Sequence, residues 1–318
     1  MGSAVARALV ERGRPVRALV RDAKQSGLPG SVEICQGTLE DAGSLERLVG
    51  GAGCVVHCAG KVKARSATEF MAANVDGTAR LVAAMASKAP LADLLHISSL
   101  AARSPDVSVY AQSKYRAEQV VAGATHLQSR AIAIRPPAIY GPGDRNTLPI
   151  LEQLANGIIL VPRAPTNRFS LLHVADLAAL VADLVDHGTA ATRPLEPDDG
   201  FANGYRWQDL GQIAARVLQR RTRCVGVPRW LFEGVAVSTE LFARATSAVP
   251  FLPRGKVAEL FHPDWVADRA TMRDVGWHAR TGFDAGFAST LDWYYQAGWL
   301  KRSMPSEPGG LAKGTPRV

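Results

Sequence analysis

Apolar side chains recur along the first part of the chain in two alternating rhythms. Ala4, Val5, Ala8 and Leu9 repeat at helical spacing, and Gly13 ends that helix. Residues 16–20 form a short apolar strand running into Arg21-Asp22, and 32–35 form the next. The same reading predicts helices over 41–50, 67–88 and 109–127, and strands over 54–58, 93–97 and 131–135. Strands alternating with helices predict a parallel sheet covered by helices on both faces.

After residue 145 proline and glycine become frequent, and the tryptophans fall at Trp207, Trp230, Trp265, Trp277, Trp293 and Trp299. This predicts a first domain over 1–145, a helix over 172–186 within a stretch, 172–187, that returns to it, and a smaller lobe from 146–171 and 188–300. Residues 301–318, with Pro305, Pro308, Gly309, Gly310, Gly314 and Pro316, read as a disordered tail. The segment 230–252 is strongly apolar, with Leu231, Phe232, Val235, Val237, Leu241 and Phe242. It reads either as a core helix of the second lobe or as an apolar pocket or membrane-touching patch.

Charge narrows the partners only slightly. The net charge is +8, but the basic residues are scattered and no stacking-aromatic motif accompanies them, so nucleic acid is not expected. A phosphate-bearing cofactor or an acidic lipid surface fits better. Arginines crowd residues 1–21, as in a transit peptide, but the helix-then-strand pattern accounts for them. Cys35, Cys54, Cys58 and Cys224 lack zinc-site spacing, so no metal is expected and a reducing, cytoplasmic setting is implied. No apolar run is long enough for a transmembrane helix.

The strongest chemical signal is Tyr110-Ala-Gln-Ser-Lys114, two residues one helical turn apart on one face. A phenol with a pKa near ~10 is a poor base at neutral pH; a nearby ammonium favours the phenolate, and full matching takes roughly 4 kcal/mol. Just before this helix the strand over 93–97 runs into Ser98-Ser99. Catalytic groups on wound parallel sheets sit at the carboxyl ends of strands, and a hydroxyl there can orient a carbonyl.

Taken in order, several motifs together carry a resemblance. They are Gly2-Ser3 with its helix, Val16-Arg-Ala-Leu-Val-Arg-Asp22, His57-Cys-Ala-Gly60, Asn74-Val-Asp-Gly-Thr78 and His96-Ile-Ser-Ser99. Tyr110…Lys114, Arg135-Pro-Pro-Ala-Ile-Tyr-Gly-Pro-Gly-Asp144 and Gly276-Trp277…Trp293-Tyr294 complete the set. The chain resembles an extended or atypical short-chain dehydrogenase/reductase, close to the NAD-dependent epimerase/dehydratase grouping. The resemblance implies a Rossmann-type doubly wound parallel sheet. Because a helix comes first, the opening strand and most of the glycine loop are expected upstream of Met1, making the chain a Rossmann fold without its first strand.

The resemblance also implies roles. Ser99, rather than Ser98, would orient the substrate, Tyr110 would be the general acid/base, and Lys114 would hold the nicotinamide ribose. Asn74 would support the active-site helix, Gly2, Ala59 and Gly60 would line the cofactor, and Pro136 and Pro137 would lie beside the nicotinamide. His57 reads as a buried strand histidine. Arg21, where an acidic residue would select NAD, implies a 2′-phosphate and so NADP, with NAD left open. Leu39 stands in Gly37-Thr38-Leu39, where the family often has Gly-Asp-Leu against adenine. Arg145 and Arg168 face either an anionic substrate group or solvent.

These signs lead to an NAD(P)H-dependent oxidoreductase that interconverts a carbonyl and an alcohol on a small hydrophobic substrate. A nucleotide-sugar epimerase or dehydratase with bound NAD is the alternative, weakened by the short stretch between Ser99 and Tyr110. A non-catalytic accessory protein, like the nucleotide-binding subunit of respiratory complex I, is the third reading. Peripheral membrane contact stays open, and a homodimer through 67–88 and 109–127 is implied by the family alone.

Overall fold

The computed structural model describes residues 1–25, 27–127, 130–188, 191–246 and 248–301. The expected tail over 302–318 lies outside the described residues. The chain opens with α1 (Gly2–Glu11), β1 (Arg17–Val20), β2 (Glu33–Gln36), α2 (Ala42–Val49) and β3 (Cys54–His57). Next, α3 (Ala67–Met71) passes through a π turn, Ala72–Asp76, into α4 (Gly77–Lys88). β4 (Asp93–Ile97), α5 (Val109–Ala122), β5 (Ala131–Ile134) and β6 (Ala138–Tyr140) follow. Beyond them come α6 (Leu148–Asn156), β7 (Ile158–Pro162), β8 (Arg168–Phe169), β9 (Leu171–His173), α7 (Val174–His187) and α8 (Trp207–Val217). The chain continues with β10 (Arg223–Val227), α9 (Arg229–Thr246), α10 (Arg254–Phe261), β11 (Asp264–Trp265) and α11 (Phe283–Gln296).

Among the described residues every ladder between strands is parallel: β1 with β2, β3–β4–β5 as a three-stranded sheet, β6 with β9, β7 with β10, and β8 with β11. The period of two along β4 shows why helices cover both faces. Leu95 and Ile97 enter one cluster with Val5 and Leu9 of α1 and Leu177 and Val181 of α7. Leu94 enters another with Leu45 and Val49 of α2, Leu81 and Met85 of α4 and Val121 of α5. The expected doubly wound α/β arrangement is therefore present. A third cluster gathers Tyr140, Leu154, Ile159, Ile213 and Phe287 from β6, α6, β7, α8 and α11, with Tyr205 from the segment before α8.

Four element predictions change. The helix expected over 67–88 carries the π turn, one extra residue widening it at Asn74. The helix expected over 109–127 stops at Ala122, where Gly123 removes helical propensity, and a 3-10 turn follows over Thr125–Leu127. The helix expected from 172 starts at Val174, because Leu171–His173 pairs with β6 and the His173 ring nitrogen accepts from the Ala175 amide at 3.3 Å. The segment over 230–252 is helical only through Thr246 and is not a core helix: Trp230, Leu241 and Phe242 are exposed.

Packing of the third cluster is tight where α11 meets β6. A Cβ added at Gly286 would lie 2.2 Å from the Tyr140 hydroxyl, whose ring is fully buried. On α9, Gly234 has open space around the same position. Gly286→Ala is expected to destabilise the protein by about 1–3 kcal/mol through overpacking. Gly234→Ala is expected to stabilise it by about 0.5–1 kcal/mol through backbone entropy. Denaturant unfolding of the two variants checks the opposite signs.

Candidate active site

Helix α5 enters the sheet layer with its first turn aimed at the end of β4. Ser108 caps it, accepting from the Ala111 amide at 3.0 Å. The spacing of Tyr110 and Lys114 places both on the face toward that strand. Lys114 is buried, and its Nζ donates to the Ile97 carbonyl at 2.8 Å, one residue before Ser98-Ser99. The half-buried Tyr110 hydroxyl lies near the Ser99 side chain, which favours its ionised form. Ser99, Tyr110 and Lys114 are thus brought together at a strand end.

Ser98 takes another path. Its hydroxyl donates to Glu118 at 2.5 Å, and Glu118 is held by the Arg135 guanidinium through contacts of 2.9 and 2.6 Å. Arg135 also approaches Glu196 at 3.6 Å, and Glu196 pairs with Arg103 at 3.3 Å. Ser98 is consumed by this chain of alternating charges, which leaves Ser99 as the hydroxyl facing the phenol. Sequence reading missed Glu118 and Glu196. Glu118 lies one further turn along from Lys114, so the four-residue spacing was the available signal; Glu196 gave none.

Asn74 staples the end of β3 to α5. It is buried; its Oδ1 accepts from the Lys61 amide at 2.7 Å, and its Nδ2 donates to the Lys61 carbonyl at 3.0 Å and to the Ser113 hydroxyl at 2.8 Å. Ser113 passes its own proton to the Tyr110 carbonyl at 2.7 Å. The π turn at Asn74 is the kind of local widening found at functional sites. Gly60 is required beside it: a Cβ there would lie 2.9 Å from Asn74 Oδ1 and 3.9 Å from Lys114 Nζ.

Burial sets the protonation states. The Tyr110 phenol is pushed up to about 12 by desolvation, and the Ser99 side chain only partly opposes this. The phenol is therefore not acidified in the free protein, contrary to the expected effect of a neighbouring ammonium. Burial brings Lys114 down to about 8, against the opposing pull of Glu118 and Cys58. Burial also raises Cys58 to about 11 and lowers His57 to about 3. His57 is a buried strand histidine, as expected; its Nε2 lies 2.9 Å from the Thr78 hydroxyl, which donates to the Asn74 carbonyl, so the ring nitrogen is the donor to Thr78.

The residues expected at a dinucleotide line the same carboxyl edge. Ala59 and Gly60 follow β3 with exposed backbone, and α1 begins there too, since a Cβ on Gly2 would lie 3.6 Å from Cys58 Cβ. Pro136 accepts from the Leu100 amide at 2.9 Å, which sets Pro136-Pro137 beside the turn after Ser99. Arg21 follows β1 and is exposed, its carbonyl accepting from Gln36 Nε2 at 3.3 Å. Leu39 packs on Gly77 at the start of α4. A helix N-terminus against a side-chain-free strand end, with a buried ammonium beside it, fits a pyrophosphate and ribose. Arg145 and Arg168 are engaged elsewhere: Arg145 stacks 4.4 Å over Trp299, and Arg168 donates to the Asn203 carbonyl at 3.1 Å.

Known proteins share the sequence pattern and the fold. The family model for the NAD dependent epimerase/dehydratase family matches residues 1–194. A ceramide reductase from Caulobacter vibrioides (strain NA1000 / CB15N) is 34% identical over 306 residues, covering 96% of this chain and 94% of that protein. A 2-alkyl-3-oxoalkanoate reductase from Stenotrophomonas maltophilia (strain K279a) is 30% identical over 316 residues, covering 90% and 94%. The structure titled MoeE5 in complex with UDP-glucuronic acid and NAD superposes with a TM-score of 0.67 at 19% identity, covering 93% of this chain and 96% of the other. The fold, the family match and the reductase relatives together make this chain a member of the NAD-dependent epimerase/dehydratase family, an NAD(P)-dependent oxidoreductase of the short-chain dehydrogenase/reductase type.

Proposed function

We propose that the protein reduces a carbonyl to an alcohol on a hydrophobic, lipid-like substrate, with Ser99, Tyr110 and Lys114 as its working residues. The observation that carries this reading is the Ser99–Tyr110–Lys114 cluster anchored at the end of β4, with Ser98 withdrawn into the Glu118 ion pair. The relatives named for ceramide and for a 2-alkyl-3-oxoalkanoate support a substrate with long apolar chains. Residues 146–171 and 188–300 supply the lobe that holds it.

The chemistry divides simply. A nicotinamide cofactor, when bound, supplies the hydride. Lys114 would hold its ribose, Ala59, Gly60, Pro136 and Pro137 would flank it, and the helix that Gly2 opens would turn its N-terminus to the phosphates. Ser99 donates to the substrate oxygen and orients it. Tyr110 gives its phenolic proton to that oxygen as negative charge develops there. A phenol raised to about 12 by burial holds the proton that donation to the substrate oxygen requires. Asn74 is a positioning residue, acting through Ser113 on the first turn of α5. Arg21 would pair with a 2′-phosphate and select NADP; Asp22 instead accepts from the Lys24 amide at 2.9 Å.

Three outcomes are expected. In a panel of apolar ketones and aldehydes with NADPH, Tyr110→Phe lowers kcat by about 10²–10⁴-fold while cofactor affinity, read by fluorescence titration, stays within about twofold; unchanged turnover removes the mechanism. Reduction is flat below pH 8 and falls as pH rises through about 8, because the Lys114 ammonium is present below that value and lost above it. Lys114→Met abolishes that limb along with most activity. Arg21→Ala shifts the NADPH-to-NADH ratio of kcat/KM by about tenfold toward NADH, and an unshifted ratio means that Arg21 does not read the 2′-phosphate.

A further inference from the structure

Helix α9 is built inside out for a helix that faces water. Its inward stripe is narrow: Ala236 and Ala243 are buried, and Phe232, Thr239 and Glu240 are half-buried. At 100° per residue, Trp230, Leu231, Val235, Val237, Leu241 and Phe242 fall with Gly234, Ser238 and Ala245 on one continuous arc of about 160° that contains no charge. This arc is on the outside: Trp230 is 66% exposed and Phe242 67%. The connection after α9 extends it, with Val249 and Phe251 also exposed, Phe251 at 69%. So large a contiguous apolar surface on one element marks an interaction site.

The surroundings select the occupant. Between Asp209 and Glu233 the sequence has Arg216, Arg220, Arg221, Arg223 and Arg229 and no carboxylate. Arg220, Arg221 and Arg223 are exposed at the start of β10, and Arg229, paired with Glu233 at 2.7 Å, is exposed at the start of α9. On the same two-stranded ladder Ile158, Leu160 and Val225 are exposed as well. An uncharged apolar face with an aromatic at one end and a basic fringe is the signature of a helix lying in a lipid interface.

The face is also coupled to the active site. Phe232 packs on Phe261 of α10 with ring centroids 5.6 Å apart. From α10, Glu259 accepts from the Ser108 hydroxyl at 2.6 Å, at the cap of α5 two residues before Tyr110. Gly255 comes so close to Ser108 that an added Cβ would lie 3.2 Å from it. One helix therefore separates the exposed face from the catalytic helix.

We propose that the outer face of α9, with Val249 and Phe251 and the arginines flanking β10, docks the protein on an anionic phospholipid bilayer, from which the lipid-like substrate passes beneath α10 to Tyr110. This deepens the reading of a lipid-like substrate above and rests on it for the substrate's route. Among the described residues no helix is long and apolar enough to cross a membrane, so the contact is interfacial.

Flotation of the purified full chain with vesicles of phosphatidylcholine, with and without phosphatidylglycerol, tests the proposal. The protein is expected to float with the phosphatidylglycerol vesicles and to be released by high salt. Trp230→Ser/Phe242→Ser, whose thermal melt should match the wild type, is expected to lower the floated fraction by about tenfold or more. Wild type that stays at the bottom of the gradient with both vesicles overturns the proposal, as does a variant that floats like wild type. A wild-type dimer that the same variant converts to monomer, seen by light scattering, would also overturn it by assigning the face to a second copy. Flotation without turnover of any carbonyl would sink the reductase reading and leave docking standing; turnover without flotation would do the reverse.

Discussion

The site depends on one buried ammonium. Lys114 is held in the interior against the Ile97 carbonyl, and a charge taken out of water must be compensated there. The compensation runs along α5, where Tyr110, Lys114 and Glu118 stand four residues apart on one face. Glu118 raises the affinity of Lys114 for its proton, and Arg135 neutralises Glu118 in turn. Glu196 and Arg103 carry the alternation outward to the segment that follows β11, where Arg103 donates to the Val266 carbonyl at 2.9 Å. This buried cation is thus stabilised by a chain of partners that also ties α5 to the end of β5 and to the far part of the molecule.

The backbone around this cation is shaped by close approach. Gly60 has no Cβ because Asn74 fills that space, and Asn74 reaches it because the helix widens by one residue. The same amide fixes both ends of Lys61 and the Ser113 hydroxyl, so the end of β3 and the start of α5 move as one unit. Preorganisation of this kind lets a phenol and a hydroxyl meet a substrate oxygen without reorganising when charge develops.

The helical hairpin of α9 and α10 has the opposite character. Its inward face is thin, two of its buried positions are alanines, and its outward face is apolar. Such a surface is costly in water, and it sits next to the catalytic helix. Chemistry at the strand ends and an apolar face one helix away are what the proposed route of a lipid-like substrate from an apolar phase would need.

The alternation of helices and strands, the parallel sheet and the Tyr110–Lys114 pair followed from the sequence alone, because they rest on local periodicity and on spacing within one helix. Hydrophobic rhythm also placed Ser98-Ser99 at a strand end. The resemblance preferred Ser99 to Ser98, but nothing local in the sequence supplied the physical reason. Only tertiary structure separated them, by bringing Arg135 and Glu118 from different elements onto Ser98. It likewise decided that the phenol is raised and not lowered, since desolvation depends on what encloses a group and not on its neighbours in the chain. The inversion of α9 belongs to the same class: an apolar helical stripe is equally a core seam or an outer face until the packing partners are known. Periodicity reports which residues share a side, and only the folded chain determines what that side meets.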